Sequence, residues 1–171
     1  MADPQGGLTL LFTDIEGSTL LLRELKGSYG LLLRVHQRML ERSFDDHHGR
    51  SMGSEGDSLF YVFPNARDAV AAAVTAQQRV EHHSWPEGAR VRVRVGIHSG
   101  DAVYRDGDYF GGDVNLAHRV VNRALGGEVL VTEALAGAVD SEHLRFEPIG
   151  EVTLKGFPDP IHLLVVQAAS L

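Results

Sequence analysis

The stretch from Leu8 to Thr19, Leu-Thr-Leu-Leu-Phe-Thr-Asp-Ile-Glu-Gly-Ser-Thr, leaves this chain few ways to begin folding. A short apolar run, closed by a Gly-Ser-Thr turn signal and followed by a leucine-periodic segment, reads as a buried strand leading into a helix. Such a strand delivers Asp14 to its end. A carboxylate there has an ordinary use, since Asp commonly caps the next helix or closes a turn. It also has a functional one, as a hard-metal ligand beside a phosphate-accepting loop. The segment alone leaves both open, and a second carboxylate has to decide.

Leu20, Leu21, Leu25, Leu31, Leu32, Val35, Met39 and Leu40 then recur at helical spacing, with a break around Gly27-Ser28-Tyr29-Gly30. Two helices, or one broken there, follow the strand. His47, His48 and Gly49 close the second helix; adjacent helical histidines point in different directions and chelate poorly, so they read as solvated, as do His82 and His83. Arg50 to Phe63 reads as a hairpin, with Gly53 to Glu55 in the first arm, a tight Gly56-Asp57 connection and the apolar Leu59-Phe60-Tyr61-Val62-Phe63 as the second arm. That turn carries the second carboxylate.

Ala66 to Val80 is rich in small residues and reads as a helix suited to close packing on a sheet, and Trp85 to Gly88 as a loop. Arg90-Val91-Arg92-Val93-Arg94-Val95 alternates strictly, the pattern of a strand with one buried and one wet face, and its arginines read as that solvated face. Gly96 to Gly100 continues it into a second hairpin with Asp101 to Tyr104, bent at Arg105-Asp106-Gly107-Asp108. Asp113 reads as the N-cap of a helix whose apolar face is Val114, Ala117, Val120 and Val121. On that helix Asn115 and Arg119 are four apart and share one surface, as decoration or as a polar pair aimed at one ligand. Gly126-Gly127 ends the helix; a strand at Glu128 to Val131, a short helix at Thr132 to Val139 and strands around Leu144 to Leu154 and Ile161 to Val166 complete an α/β or α+β layout without internal repeat.

With 171 residues the chain fits one domain, expected over residues 8–171 behind a loose polar tail at 1–7. Acidic residues outnumber basic ones 23 to 16 and no Lys/Arg block stands out, which argues against a nucleic-acid partner. No cysteine is present, excluding disulfides and thiolate metal sites and suiting a reducing, cytoplasmic setting. No apolar run reaches the length of a membrane span, and the first residues lack the apolar core of a signal peptide.

Asp14 and Asp57, at the ends of strands expected to be neighbours, suit magnesium, which takes oxygen ligands and is commonly completed by substrate phosphates. The Glu16-Gly17-Ser18-Thr19 turn at a helix start offers backbone donors to phosphate. Phe12-Thr13-Asp14-Ile15-Glu16-Gly17-Ser18-Thr19, then Gly56-Asp57, then Val114-Asn115-Leu116-Ala117-His118-Arg119, in this order and separation, resembles the class III nucleotidyl cyclase catalytic domain, the adenylyl/guanylyl cyclase family. The resemblance covers nearly all of the chain from Leu8 to Val166. It implies a ferredoxin-like sheet with helices packed on one face and two domains paired head to tail, so that a homodimer forms composite sites. It further implies that Asp14, Asp57 and the Ile15 carbonyl bind two divalent cations, Mg2+ or Mn2+. Asn115 would position the ribose, Arg119 the charge developing on the α-phosphate, and Lys155 in Leu154-Lys155-Gly156 the other phosphates, alongside Gly17, Ser18 and Thr19.

The implied reaction is attack by the 3′-hydroxyl of a nucleoside triphosphate on its own α-phosphate, releasing pyrophosphate. It needs alignment, metal activation and charge stabilisation but no protein nucleophile. Base choice is less uniform. The family's adenylyl cyclases usually carry a lysine four residues before the second metal aspartate and an aspartate or threonine seven before the helix asparagine; here those positions hold Gly53 and Asp108. Asp108 suits the adenine amino group. Gly53 offers no side chain, and Glu55, on the same face of an extended arm, would favour guanine donors. ATP is preferred on Asp108, with GTP as the alternative and a weakly active, nucleotide-binding or dimerising regulatory domain as a second. A ferredoxin-like binding module without turnover is a third. Gly111-Gly112-Asp113 superficially resembles the diguanylate cyclase motif, but Val114-Asn115 leads into a helix where that family has Glu-Phe on a hairpin.

Overall fold

A run as apolar as Leu8–Ile15 has to be covered from both sides, and the structure, a computed structural model describing residues 7–140 and 142–168, places it inside a sheet. The expected tail lies outside the described residues except for Gly7, as do residues 169–171 of the expected domain. In chain order the elements are β1 (Leu8–Ile15), α1 (Ser18–Leu25), α2 (Tyr29–Asp45), β2 (Arg50–Glu55), β3 (Ser58–Phe63), α3 (Ala66–His82), β4 (Val93–Gly100), β5 (Val103–Arg105), β6 (Asp108–Phe110), α4 (Gly112–Arg123), β7 (Val129–Thr132), α5 (Glu133–Ala136), β8 (Leu144–Val152) and β9 (Ile161–Ala168). A short 3-10 turn at Lys26–Ser28 supplies the break between the first two helices. Seven strands form one sheet in the order β2-β3-β1-β4-β7-β9-β8; β4 and β7 are parallel and every other neighbouring pair is antiparallel.

Strand alternation sends Leu11, Ile15, Leu59, Tyr61, Val95 and Ile97 to one face, where α2 and α3 cover them. The alanines of α3 let it lie close to the sheet, and Asn65 starts it by accepting a hydrogen bond from the Asp68 amide at 2.8 Å. The opposite face carries Leu8, Leu10 and Val62 against Ala117 of α4. α4 is thus the exception to helices on one face, and Gly96 explains how it fits. A β-carbon at Gly96 would stand 2.3 Å from the Val121 amide nitrogen, so backbone meets backbone at that crossing.

Four local expectations change. The alternating Arg/Val run becomes strand only at Val93, and Arg92 serves instead as an acceptor, its carbonyl taking the Glu16 amide at 2.8 Å. The second hairpin is not an extension of β4 but a separate ribbon of β5 and β6, turning at Asp106-Gly107 and fastened to β2 by the Arg50 guanidinium, which donates to the Tyr109 hydroxyl at 2.7 Å. Asp113 does not cap α4: Gly111 holds the cap position, and the Asp113 carboxylate accepts from the Asp101 amide and from His98, each at 2.8 Å. His47 is less solvated than expected, its Nδ1 lying 2.8 Å from the Ser43 carbonyl oxygen, whereas His48 is exposed as expected, 3.4 Å from Asp68. Among the described residues no helix is long and apolar enough to cross a membrane.

Candidate active site

β1 and β3 pair up to Thr13 and Leu59 and then separate as the hairpin turns. Two positions further along, the Asp57 side chain replaces the ladder: its Oδ2 accepts the Ile15 amide at 2.6 Å. This charge-assisted bond fixes the turn carboxylate against the end of β1, one residue from Asp14. Gly17 follows in the left-handed region at φ 68, which a glycine adopts without strain, and starts α1 with no side-chain cap. The first amides of that helix are left for an external acceptor, and Ser18 and Thr19 sit on this turn.

Asp14 is engaged by a residue the sequence reading assigned to solvent. In the antiparallel ladder Asp14 stands opposite Arg94, and the guanidinium donates from Nε to Oδ1 and from Nη2 to Oδ2, both at 2.5 Å. The Asp14 side chain retains only 14% of its exposure and that of Arg94 26%. The hydrogen bonds it donates to Asp14 hold the pKa of the Arg94 guanidinium above its ordinary value, against an opposing effect of burial. Strict alternation predicts which face Arg94 occupies, but not that an aspartate 80 residues away shares that face. The signal becomes visible only once β1 and β4 are recognised as neighbours.

The donors assembled here, two carboxylates and the Ile15 backbone, are all oxygen-bearing, which fits hard divalent cations such as Mg2+ or Mn2+. Asp14 is buried enough to require a positive charge beside it, and Arg94 currently provides one. No group of three or more His, Cys, Asp or Glu that could hold a metal occurs among the described residues, so a cation here would also draw on backbone, water or phosphate oxygens. On the far side of the turn lies α2, where burial pulls His36 down to about 4 although the Leu33 carbonyl and the Asp57 charge oppose the shift.

Of the other expected site residues, Asn115 and Lys155 lie toward the opposite end of the sheet. α4 runs back along β4 from Gly100 toward Gly96, so exposed Asn115 lies nearer the Gly100 end and half-buried Arg119 further along. His98 anchors that helix, donating from Nε2 to Asp113 while Nδ1 lies 2.8 Å from the Thr132 hydroxyl, so one imidazole ties β4 to both β7 and α4. Exposed Lys155 follows β8, whose Val152 pairs with Ile161; through Leu163 opposite Thr132, that end of the sheet is the one remote from Ile15. Within one chain Asp14 and Asp57 are therefore brought together, and Asn115 and Lys155 are not brought to them.

Gly53 and Glu55 line a cleft of about 310 Å³ with Phe12, Ser54, Phe60 and His118. The Phe12 and Phe60 rings are stacked with centroids 4.3 Å apart, and His118 meets Phe12 edge-on at 5.3 Å. Asp108 does not line this cleft; it lies on the exposed ribbon with its carboxylate accepting from the Tyr109 amide at 2.8 Å. The aromatic floor and His118 were not singled out from the sequence, because Phe12 and Phe60 read there only as strand residues.

The family model described as the adenylate and guanylate cyclase catalytic domain matches residues 1–167. A receptor-type adenylate cyclase of Trypanosoma congolense is 30% identical over 95% of this chain, which corresponds to 28% of that protein. The serine/threonine-protein kinase pkn2 of Myxococcus xanthus is 30% identical over 95% of this chain and 20% of its own length. The chain thus spans about a quarter of the length of these relatives. A solved structure of adenylate cyclases from Trypanosoma brucei in their monomeric state superposes with a TM-score of 0.90 at 25% identity, covering 98% of this chain and 91% of that one. With the matched family spanning nearly every residue and the fold shared throughout, the chain belongs to the class III adenylate/guanylate cyclase catalytic domain family.

Proposed function

We propose that this domain cyclises a purine nucleoside triphosphate, ATP by preference, to the 3′,5′-cyclic nucleotide and pyrophosphate. The observation that carries the reading is the Ile15 amide bond to Asp57, which holds a second carboxylate beside Asp14 at the end of β1. Asp14, Asp57 and the Ile15 carbonyl would hold two divalent cations, whose charge supplies activation of the attacking hydroxyl and neutralisation of the departing pyrophosphate. The uncapped first turn of α1 at Gly17, Ser18 and Thr19 receives phosphate oxygens through backbone amides. Arg119 presents a planar fork to the α-phosphate as its charge grows, Asn115 orients the ribose, and Lys155 places a point charge near the leaving phosphates.

Asn115 and Lys155 lie toward the end of the sheet remote from Ile15, so a working site takes its carboxylates from one chain and Asn115, with Arg119 on the same helix, and Lys155 from a partner. A head-to-tail pairing does this twice. The aromatic cleft next to Gly53 and Glu55 suits a flat base. ATP is favoured by Asp108 at the family's base position and by relatives named as adenylate cyclases. The specific observation in favour of GTP is Glu55, an exposed carboxylate acceptor in that same cleft.

The test is product analysis with Mn2+ and ATP or GTP in parallel. Cyclic AMP should form faster, and Asp57→Ala should abolish metal-dependent product while the variant stays folded. Equal or faster turnover of GTP refutes the base preference, and undiminished activity in Asp57→Ala refutes the metal assignment.

A further inference from the structure

Resting on that reading of Asp14 as a cation ligand, we infer that Arg94 is a latch that keeps Asp14 closed to divalent cations until nucleotide arrives. The geometry is specific. A single arginine, placed opposite Asp14 by the ladder register, takes both carboxylate oxygens at 2.5 Å, in a site where Asp14 is 14% exposed. A fork on two parallel bonds engages the carboxylate in its own plane and leaves no oxygen unshared.

A cation that binds Asp14 must take at least one of those oxygens and then stand close to a guanidinium in a partly desolvated pocket. Like charges at that distance repel strongly, because screening there is weaker than in water. The hydrogen bonds of Arg94 both go to Asp14, and the Glu16 and Asp57 charges add to the negative field around the guanidinium. The cation and the guanidinium therefore compete for one carboxylate. A triphosphate changes the balance, since its negative charge offsets both positive charges together. Cation and nucleotide binding become coupled, and the uncharged alternative at position 94 uncouples them.

Arg94 also has a benefit in the resting chain. Without it, a nearly buried carboxylate would face the apolar end of β1 unpaired. The same residue thus stabilises the free domain and discourages occupation by metal alone.

The test uses the full chain and Mn2+ alone, with free Mn2+ followed by its electron paramagnetic resonance signal. Arg94→Gln should bind Mn2+ at least tenfold tighter than wild type in the absence of nucleotide, and Arg94→Lys, which keeps the charge but gives up the fork, should fall between. The gain should vanish in Arg94→Gln combined with Asp14→Asn. A non-cyclisable triphosphate analogue should tighten Mn2+ binding more in wild type than in Arg94→Gln. Unchanged or weaker Mn2+ binding in both Arg94 variants, with binding still lost in Asp57→Asn, overturns the latch and leaves the metal site standing. Mn2+ binding indifferent to Asp57→Asn overturns the metal site and the latch with it.

Discussion

Replacing Gly96 with alanine adds one methyl group at the crossing of β4 and α4. The new carbon would lie 2.3 Å from the Val121 nitrogen and 2.7 Å from its α-carbon, against about 3.4 Å for ordinary contact, so α4 has to retreat by about 1 Å. The obstructing atoms are backbone, which no rotamer change can move aside. Overpacking of this kind costs about 1–3 kcal/mol. For a domain of this size that lowers Tm by about 2–12 °C. Activity should suffer more than stability, because α4 carries Asn115 and Arg119, and a displacement of about 1 Å can cost roughly 100-fold in rate. Thermal unfolding and steady-state cyclase assays on Gly96→Ala, beside Gly137→Ala as a control, check this. Gly137 already has φ −65 and its nearest neighbours would be 3.7 Å away, so that control should be neutral. A Gly96→Ala protein with wild-type Tm and wild-type kcat would refute the claim that this crossing sets the position of the helix.

Two further outcomes follow from the site. If the carboxylates and Arg119 meet across two chains, an equal mixture of inactive Asp57→Ala and inactive Arg119→Ala should recover about a quarter of the wild-type rate, since half the dimers then hold one intact site of two; a mixture as inactive as its components would place both sets in one chain. His36 is 1% exposed and held near 4 by burial, below its ordinary 6.5, so the unfolded chain takes up its proton first as pH falls. Stability from this residue is complete above pH 6.5 and declines toward pH 4, by up to about 3 kcal/mol at roughly 1.4 kcal/mol per pH unit. Urea unfolding of wild type and His36→Leu at pH 7 and pH 4.5 should show the variant losing less on acidification, and parallel losses would contradict it.

Periodicity identified most elements because each is short, local and amphipathic in its own register. The break between α1 and α2, the Gly56-Asp57 turn and the extent of α4 were readable from Gly, Pro and apolar spacing. What escaped was pairing between distant segments. Arg94 looked like the wet face of a strand because alternation records faces and not partners, and its partner comes from another strand of the same sheet. Asp113 was misread for a similar reason: an aspartate before an apolar helix has the pattern of a cap, yet His98 and the Asp101 amide had already claimed its oxygens. The Gly53, Glu55 and Asp108 set was found by counting from motifs, and counting could not reveal that Gly53 and Glu55 share an aromatic cleft while Asp108 sits on a separate ribbon.

The two carboxylates at the end of β1 differ in how firmly they are mounted. Asp14 rides on a strand clamped between two neighbours, whereas Asp57 hangs from a hairpin whose outer strand, β2, has the sheet on one side only. Their spacing is consequently governed by the looser member, and the Ile15 amide is the tether. Fraying at the rim of the sheet would thus be felt as a change in the spacing of the two carboxylates. The exchange rate of that one amide proton is a gauge of how well the site is assembled.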